Sequence, residues 1–386
     1  MRIAQCLEYP IQQHGGTEVL VRELVRGLAE RHEIVLVSDD DGESLRRSSV
    51  GALVREHIPW RLGSSLVEAK NLAAQLQARR IDLAHFHFGG TFAWGSRRWN
   101  FAPPVHLQRL GVPCLVTNHG VFGPLDGYIG AQRSLLTKLV LWPAAWASRM
   151  QLTARLRAEV AVSQNDFRVL RRRFWPVRGK FRQIYHARIH ERDPVPDLPR
   201  QKIILCAGTI GPRKAQPHLA HAFAQVADRC PEWNLLFIGR AGEEQTATEL
   251  RAVLARPELR GRITWLEHCT DAELERWFQT VEIFAMPSLH EGLGLTLQEA
   301  LYYGCACIAT RIGGIPDLIQ DGDNGMLVAV RDRSALAHGL EQLMQDGTLR
   351  ARLRSRAHAS VLEKQMTAER MVARYEKLYQ EVTQPN

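Results

Sequence analysis

The sequence predicts an α/β protein built from two doubly wound domains, each with a parallel sheet. Short apolar runs alternate with segments of helical periodicity along most of the 386 residues, which is typical of parallel sheets covered by helices on both faces. The alternation stops at residues 191–201 (ERDPVPDLPRQ), which hold three prolines and mixed charge, and then starts again. A hydrophobic fraction of 45% is enough to fill two sizeable cores.

The first half contains five predicted strands. A helix is predicted after the paired glycines Gly15 and Gly16, because apolar residues recur at helical spacing over 20–28, and another over 66–79. The strands are the apolar runs 3–7, 34–38, 82–88, 114–120 and 160–163. We assign residues 1–190 to an N-terminal domain.

The second half repeats the pattern. Helices are predicted near 217–229, over 271–279 and from about 296. The strands are the runs 202–208, 234–239, 262–268, 283–288, 305–310 and 325–330. We assign residues 202–365 to a C-terminal domain, with 191–201 as the linker between the two.

Several classes of protein are disfavoured by composition. The longest apolar run, 135–147, is too short to span a bilayer and contains Lys138 and Pro143. The N-terminus (MRIAQCLEYP) lacks an apolar run of signal-peptide length, so we expect a soluble, cytoplasmic chain that starts on a strand. The seven cysteines form no CxxC motif and are interpreted as small core residues in a reducing compartment.

The positive charge is concentrated in one segment. The chain carries a formal net charge of +9, whereas residues 131–190 hold thirteen Lys and Arg residues against Glu159 and Asp166, which gives this segment +11. Such a patch attracts phosphates of nucleic acid, anionic lipid or a pyrophosphate-bearing substrate. The alternative is an arginine-rich helix face that is simply solvated.

Ligands of doubly wound domains bind beyond the C-terminal ends of the strands, which directs attention to the loops 14–17, 118–123, 209–214 and 289–296. The adjacent Gly15 and Gly16 precede a helix and allow an anion to approach the backbone, although a plain tight turn is an equal alternative. The pattern is not GxGxxG, which argues against a nicotinamide site. Residues 39–42 (DDDG) are predicted to form a turn rather than a metal-binding motif.

The loop 209–214 carries two adjacent cations, Arg213 and Lys214. They follow a predicted strand and precede a predicted helix, where fixed positive charges suit a diphosphate. The alternative is a pair of exposed basic residues without a ligand.

The stretch HEGLGLTLQE, residues 290–299, places two glutamates eight positions apart. Glu291 precedes a glycine turn at the open end of the predicted sheet, and Glu299 lies in the helix that follows. Thr296 and Glu299 also fit a capping box, which would make Glu299 a structural residue. Otherwise the two carboxylates, with backbone amides between them, suit a polyhydroxylated ligand that carries a phosphate.

Residues 287–328 (PSLHEGLGLTLQEALYYGCACIATRIGGIPDLIQDGDNGMLV) resemble the E-x7-E region of the family 4 retaining glycosyltransferases. Other parts agree in order: the first strand with its glycine pair, DLAHFH, TNHG, VAVSQ and the loop with Lys214. The resemblance covers essentially the whole chain. It implies the GT-B fold, in which two Rossmann-like domains face a central cleft, and a last helix (about 366–382, within residues 366–386) that crosses back to the N-terminal domain.

The resemblance also implies roles for individual residues. Glu291 would contact hydroxyls of the donor sugar, and Glu299 would bind the ribose. Lys214, with Arg213 beside it, would neutralise the diphosphate leaving group. The sugar and distal phosphate would be held by the backbone of Gly292, Leu293, Gly294, Leu295 and Thr296.

In the N-terminal domain, the resemblance implies that Gly16 brings the backbone close to the diphosphate and that His119 touches the donor sugar near the reacting centre. The chain departs from the family pattern at three places. Residues 208–210 (GTI) stand where the family commonly has GRL, and we infer that Arg213 substitutes for the arginine of that triplet. Residues 185–189 (YHARI) stand where PNG is common, and Leu293 stands where an aromatic residue is often found.

The sequence thus predicts a retaining glycosyltransferase that uses a UDP- or GDP-linked sugar, without a cofactor or metal. We expect a glycan or lipid-linked acceptor of the cell envelope, as in polysaccharide or lipopolysaccharide synthesis. Residues 149–188 would dock on the anionic inner face of the plasma membrane. A nucleotide-sugar epimerase, a sugar phosphorylase and a non-catalytic binding protein are the alternatives, and the absence of an RNA-binding motif argues against a nucleic-acid partner.

Overall fold

Two parallel sheets organise the chain. The computed structural model describes residues 1–12, 15–60, 65–88, 102–120, 134–191 and 198–384. One unit consists of Met1–Arg188 and Ala368–Asn386, and the other of Ile189–Thr367. Each contains a parallel sheet with helices in the connections, which confirms the predicted fold class. Residues 192–197 of the predicted linker lie outside the described residues.

The first unit has a seven-stranded sheet within the described residues, in the order β3-β2-β1-β4-β5-β6-β7, with every neighbouring pair parallel. Its strands are β1 (Arg2–Leu7), β2 (Glu33–Ser38), β3 (Glu56–Pro59), β4 (Leu83–Phe88), β5 (Cys114–Asn118), β6 (Ala158–Ala161) and β7 (Phe181–Gln183). Its helices are α1 (Gly16–Leu28), α2 (Gly42–Arg47), α3 (Leu66–Ala78), α4 (Pro103–Arg109), α5 (Leu135–Arg155), α6 (Gln164–Arg173) and, at the end of the chain, Ala368–Thr383.

The second unit has a six-stranded sheet in the order β10-β9-β8-β11-β12-β13, again all parallel. Its strands are β8 (Gln201–Ala207), β9 (Asn234–Ile238), β10 (Ile263–Leu266), β11 (Val281–Met286), β12 (Ala306–Thr310) and β13 (Met326–Val328). Its helices are α7 (Gln216–Ala224), α8 (Glu244–Leu254), α9 (Asp271–Thr280), α10 (Leu295–Tyr302), α11 (Ile315–Leu318), α12 (Arg333–Gln345) and α13 (Gly347–Glu363), so that Ala368–Thr383 becomes α14.

Helix α14 packs on the first unit through an apolar face. Met371, Tyr375 and Leu378 are buried in one cluster with the apolar face of α1. The two helices approach so closely that a Cβ atom on Gly27 would lie 2.6 Å from a methyl carbon of Val372. A side chain at position 27 would therefore force α1 and α14 apart.

A polar network joins α14 to the sheet of the first unit. The buried His85 bonds Tyr379 Oη at 2.6 Å through Nδ1 and Thr117 Oγ1 at 2.8 Å through Nε2. Tyr375 Oη lies 2.9 Å from Thr117 Oγ1 and 3.1 Å from Nε2 of His186. The network thus links β4 and β5 to the last helix through uncharged groups.

Acid is expected to destabilise the first unit. Burial, together with neighbouring imidazoles, lowers the pKa of His85, His87 and His186 well below the ordinary histidine value. In the unfolded chain these rings titrate near about 6.5, so below that pH the unfolded state binds more protons and stability is lost as the pH falls. The apparent melting temperature should therefore drop between about pH 7 and about pH 5, as measured by differential scanning fluorimetry. An unchanged melting temperature would contradict this account of the histidines.

The segment 149–188 is only partly a surface feature. Arg149 and Glu159, with side chains 2% and 0% exposed, form a buried ion pair. Glu159 also accepts hydrogen bonds from Thr153 Oγ1 at 2.9 Å and from Asn118 Nδ2. The prediction that the docking surface begins at residue 149 is therefore wrong for Arg149, because its charge is neutralised inside the unit.

The tryptophans near this segment differ in exposure. Trp142 and Trp146 stack on each other with ring centroids 6.4 Å apart and pack against the buried cluster that includes Phe174. Trp146 also donates its indole hydrogen to Arg173 O at 2.9 Å. Trp175, in contrast, is 66% exposed, so only this one of the three presents most of its ring to the surface.

Three further findings concern sequence features that suggested metal binding or a membrane span. Asp41 of the DDDG stretch is the N-cap of α2 and accepts a hydrogen bond from Ser44 N at 2.6 Å. Across the described ranges, no group of three His, Cys, Asp or Glu side chains is placed to hold a metal ion. No helix in that part of the chain is both long and apolar enough to cross a membrane.

Candidate active site

The second unit places two of the predicted loops side by side. Strands β8 and β11 are parallel neighbours, and β8 continues to β9 on its other side. The strand order therefore reverses between β8 and β11, and such a switch point is where doubly wound sheets bind ligands. The loops that leave these strands also touch, because Leu289 N donates to Arg213 O at 2.8 Å.

Lys214 and Glu291 meet at this switch point. Lys214 Nζ lies 2.6 Å from Glu291 Oε1, with side chains 20% and 7% exposed. The same carboxylate oxygen accepts a hydrogen bond from Ser288 Oγ at 2.7 Å. The two residues are 77 positions apart in the chain, and the sheet order brings them into contact.

The surroundings keep Glu291 ionised. Burial alone would raise the pKa of Glu291, but the charge of Lys214, the hydrogen bonds from Lys214 and Ser288 and the charge of Arg213 hold it below its usual value. Arg213 itself is exposed and lies on the same loop as the buried Ile210. It is thus the arginine that this loop presents to solvent.

The loop after β8 is held by a residue that the sequence analysis missed. Gln216 is 1% exposed, and its Nε2 donates to Thr209 O at 3.1 Å and Gly208 O at 3.3 Å. Its Oε1 accepts from Gly211 N at 3.3 Å. Because these bonds fix the backbone on both sides of the turn, Gln216 positions the loop that carries Lys214.

The loop after β11 is fixed by close backbone packing. Gly313 has φ +54°, and a Cβ atom there would lie 1.8 Å from Glu291 O. Thr310 donates from Oγ1 to Ser288 O. No sequence pattern predicts these roles for Ser288, Thr310 and Gly313, although Ser288 stands only three residues before Glu291.

Helix α10 does not begin with the predicted capping box. Its N-cap is Gly294, at φ +98°, with no side-chain cap, and Thr296 is already the second helical residue. The capping-box alternative for Glu299 is therefore wrong, because Gly294 takes the left-handed conformation and starts the helix two residues before Thr296. Thr296 Oγ1 is buried and has no hydrogen-bond partner among the described residues.

The five residues from Gly292 to Thr296 form the turn and the start of α10. The first amides of a helix lack intrahelical acceptors and carry the positive end of its dipole. Leu293 is buried at 4% exposure, so its side chain packs inside the unit. Glu299 is 5% exposed and lies one turn further along α10.

The remaining candidates belong to the first unit. Gly16 is the first residue of α1, after the N-cap Gly15, whereas His14 lies outside the described residues. His119 follows β5, and the rest of its predicted loop, 121–123, also lies outside them. The ring centroid of His119 lies 5.7 Å from the ring centroid of His87 and 5.0 Å from that of His186.

His119 is a neutral imidazole at neutral pH. Burial lowers its pKa to about 3, and its Nε2 is buried with no hydrogen-bond partner in the described ranges.

The residues predicted to form the site fall into two sets. The first set belongs to the first unit and consists of Gly16, in the segment after β1, and His119, directly after β5. The second set lies around the β8–β11 switch point and consists of Arg213, Lys214, Glu291, residues 292–296 and Glu299.

The second set has the chemistry of an anion and hydroxyl site. A half-buried ammonium and an exposed guanidinium provide fixed positive charge, and the first turn of α10 provides backbone donors. An ionised carboxylate beside them accepts hydrogen bonds from hydroxyl groups. Such a set suits a ligand that joins a phosphate to a sugar.

Two family models match the chain in succession. The model described as Glycosyltransferase Family 4 matches residues 14–192, and that described as Glycosyl transferases group 1 matches residues 189–360. Together they extend over both units.

Several curated proteins are similar to parts of the chain. A D-inositol 3-phosphate glycosyltransferase of Corynebacterium efficiens is 30% identical over 39% of this chain and 37% of its own length. The lipopolysaccharide core biosynthesis mannosyltransferase LpcC of Rhizobium leguminosarum is 28% identical over 39% of this chain and 43% of its own. This chain thus spans less than half the length of either relative. A 2-deoxystreptamine glucosyltransferase of Streptomyces kanamyceticus is 26% identical over 78% of this chain and 76% of its own length.

A solved structure resembles the whole chain. HepE of Anabaena in complex with UDP has a TM-score of 0.75 at 17% identity, covering 99% of this chain and all of that one. The same protein has also been solved with UDP-glucose. At this identity the similarity establishes the fold.

Proposed function

Since the chain belongs to the family 4 glycosyltransferases of the GT-B fold, we propose that it transfers a sugar, with retention of configuration, from a nucleotide sugar to a hydroxyl acceptor. The observation that carries the proposal is the Lys214–Glu291 pair, 2.6 Å apart, at the switch point of the second sheet. The UDP and UDP-glucose in the HepE complexes support a nucleotide-sugar donor, with UDP or GDP as the carrier.

In this proposal the two sides of the pair serve different parts of the donor. Lys214 and Arg213 stabilise the negative charge that develops on the departing diphosphate. Glu291 accepts hydrogen bonds from hydroxyls of the sugar, and the amides of residues 292–296 hold the sugar and distal phosphate. Glu299 binds the ribose hydroxyls.

The chemical step needs no further group from the second unit. The acceptor oxygen forms a bond to the anomeric carbon from the face on which the bond to the diphosphate breaks, and the acceptor proton passes to a diphosphate oxygen. Gly16 brings backbone close to the diphosphate, and His119, neutral at pH 7, contacts the sugar near the reacting centre. Both assignments follow the family resemblance.

The cations at 213 and 214 supply the charge that a divalent metal provides in other transferases. We therefore expect activity to survive chelation. Transfer rates should be the same, within error, with and without excess EDTA. A loss of activity that Mg²⁺ or Mn²⁺ restores would contradict metal independence.

Glu299→Gln is expected to weaken donor binding about ten- to hundredfold, because a hydrogen bond to a charged group contributes about 1.5–3 kcal/mol. Loss of a helix cap should not contribute to the melting temperature, since Glu299 does not cap α10. Isothermal titration with the donor and scanning fluorimetry separate the two effects. A lower melting temperature with an unchanged donor affinity would restore a structural role for Glu299.

The test of the proposed function compares turnover with and without acceptor. The purified protein is incubated with a panel of nucleotide sugars, alone and with a cell lipid extract. Nucleotide release that depends on the extract supports transfer. Interconversion of the nucleotide sugar without acceptor would indicate an epimerase, phosphate-dependent cleavage a phosphorylase, and no turnover a binding protein.

The acceptor we propose is a glycan or lipid-linked intermediate of the cell envelope. The name of the similar LpcC protein supports this class. The first unit also carries surface features that suit an anionic membrane. Arg168, Arg171 and Arg172 on α6 are exposed, and four exposed apolar residues lie in the first two turns of α5, namely Leu135, Leu136, Leu139 and Val140.

Docking on anionic lipid can be tested separately from transfer. Basic residues near an anionic surface contribute about 1 kcal/mol each, so we expect sedimentation with phosphatidylglycerol vesicles at low salt and release at high salt. Charge reversal at positions 171–173 should abolish sedimentation and leave donor binding intact. Wild-type protein that stays in the supernatant at low salt would argue for a soluble acceptor.

A further inference from the structure

A cationic groove lies at the edge of the first sheet opposite to His119. A cavity of about 450 Å³ is lined by Arg157, Lys180 and Arg182, together with Glu381 of α14. Arg157 immediately precedes β6 and Lys180 immediately precedes β7. The cavity is therefore at the N-terminal ends of these parallel strands, whereas His119 follows the C-terminal end of β5.

A second cavity adjoins the first. It has a volume of about 320 Å³, shares Ala154, Arg157 and Lys180 with the larger cavity, and adds Arg155. We call the two together the basal groove, defined by Ala154, Arg155, Arg157, Lys180 and Arg182. All of its lining residues belong to the first unit, so the groove is separate from the Lys214–Glu291 site.

Three of the cations that line the groove form no ion pair within the described part of the chain. Among the residues that the structure describes, neither Arg157, Lys180 nor Arg182 forms a salt bridge. Burial and then the charges of Arg157 and Arg182 lower the pKa of Lys180, so both guanidinium groups act on this ammonium group. Charges of one sign gathered in a concave site attract counter-ions.

Hydrogen bonds to carbonyl groups hold two of these cations in place. Lys180 Nζ donates to Leu156 O at 3.0 Å, at the C-terminal end of α5. Arg182 Nη1 donates to Gly179 O at 2.8 Å and Phe181 O at 3.1 Å. Both side chains therefore have a structural role. A carbonyl oxygen does not neutralise a cation, however, so the positive charges of Arg157, Lys180 and Arg182 remain in the lining of one cavity.

From this geometry we propose that the basal groove binds a phosphate-bearing anion. The volume accommodates a group the size of pyrophosphate or a sugar phosphate, and guanidinium groups bind phosphate oxygens through paired N–H donors. The ligand is either a soluble phosphate compound or the phosphate of a lipid headgroup. The proposal is independent of whether the chain transfers sugar.

The first arm of the test is titration of pyrophosphate into the full chain by isothermal calorimetry. The Lys214→Ala variant is the background, so that the site in the second unit does not contribute. We expect saturable binding that weakens with salt and is at least tenfold weaker in Arg157→Gln/Arg182→Gln. Arg46→Gln/Arg47→Gln, which removes two exposed arginines of α2 outside the groove, is the matched control and should bind like the background protein.

The second arm uses phosphatidylglycerol vesicles with the same variants. The groove takes a lipid phosphate if pyrophosphate does not bind and vesicle sedimentation is lost in the groove double variant but kept in Arg46→Gln/Arg47→Gln. Glu381→Gln removes the one acidic side chain in the lining and should strengthen whichever interaction is found, which provides a test if the double variant folds poorly. If neither pyrophosphate nor vesicles respond to the groove variants, the proposal is overturned.

Discussion

Replacing Glu291 with glutamine is expected to abolish sugar transfer. Glutamine keeps the size of the side chain but removes the charge that meets Lys214 Nζ at 2.6 Å and accepts from Ser288 at 2.7 Å. A lost hydrogen bond to a charged group costs about 1.5–3 kcal/mol, and the unpaired Lys214 would also shift. The measurement is the initial rate at saturating donor, because the loss should appear in kcat.

The matched control is Glu258→Gln. Glu258 is an exposed residue of the same unit that pairs with Arg256 at 2.8 Å, so its replacement should leave the rate unchanged. A Glu291→Gln protein that retains more than half of the wild-type rate would remove Glu291 from the catalytic machinery.

Arg149→Met should have the largest effect on stability. Removing one partner of a buried ion pair leaves the other charge without compensation and typically costs about 3–5 kcal/mol. Glu159, at 0% exposure, would keep only its hydrogen bonds from Thr153 and Asn118. Urea denaturation followed by fluorescence should show this loss in the transition of the first unit.

A double variant separates charge from packing. Arg149→Met combined with Glu159→Gln removes both charges, so it should be more stable than Arg149→Met alone. Equal destabilisation of the single and double variants would indicate that the arginine acts through packing, for example against Phe174, whose ring centroid lies 5.7 Å from its guanidinium.

The order of strands and helices could be predicted from the sequence because short apolar runs alternate with amphipathic segments. All six predicted strands of the second unit correspond to observed strands, as do the five of the first. Strands β3 (Glu56–Pro59) and β7 (Phe181–Gln183) were missed. Both are short strands at the edges of the sheet, and neither contains an apolar run that distinguishes it from a loop.

The candidate site was predictable only residue by residue. Lys214 and Glu291 were singled out from their own loops, but their contact depends on β11 lying beside β8, and strand order is not visible in local periodicity. Gln216 was missed because a buried glutamine that holds a turn has no sequence signature. The capping box failed because the sequence does not reveal that Gly294 would adopt the left-handed conformation.

The basic segment shows the same limit. Counting charges identified an excess in residues 131–190, but the count could not separate Arg149, which is buried against Glu159, from the exposed arginines of α6. Burial of a charge depends on which side chains from distant elements surround it. Composition therefore predicts the sign of the charge on a surface better than it predicts which charged residues are exposed there.

We propose that the β8–β11 switch point binds the diphosphate of a nucleotide sugar, and calorimetric titration of UDP and GDP tests this claim. We expect one of the two nucleotides to bind the wild-type protein, and to bind Lys214→Ala at least tenfold more weakly. Lys202→Ala is the control, because Lys202 is an exposed lysine at the other end of β8, paired with Glu232 at 3.3 Å. Equal affinity of wild type and Lys214→Ala for the nucleotide, or binding of neither nucleotide, would contradict the claim.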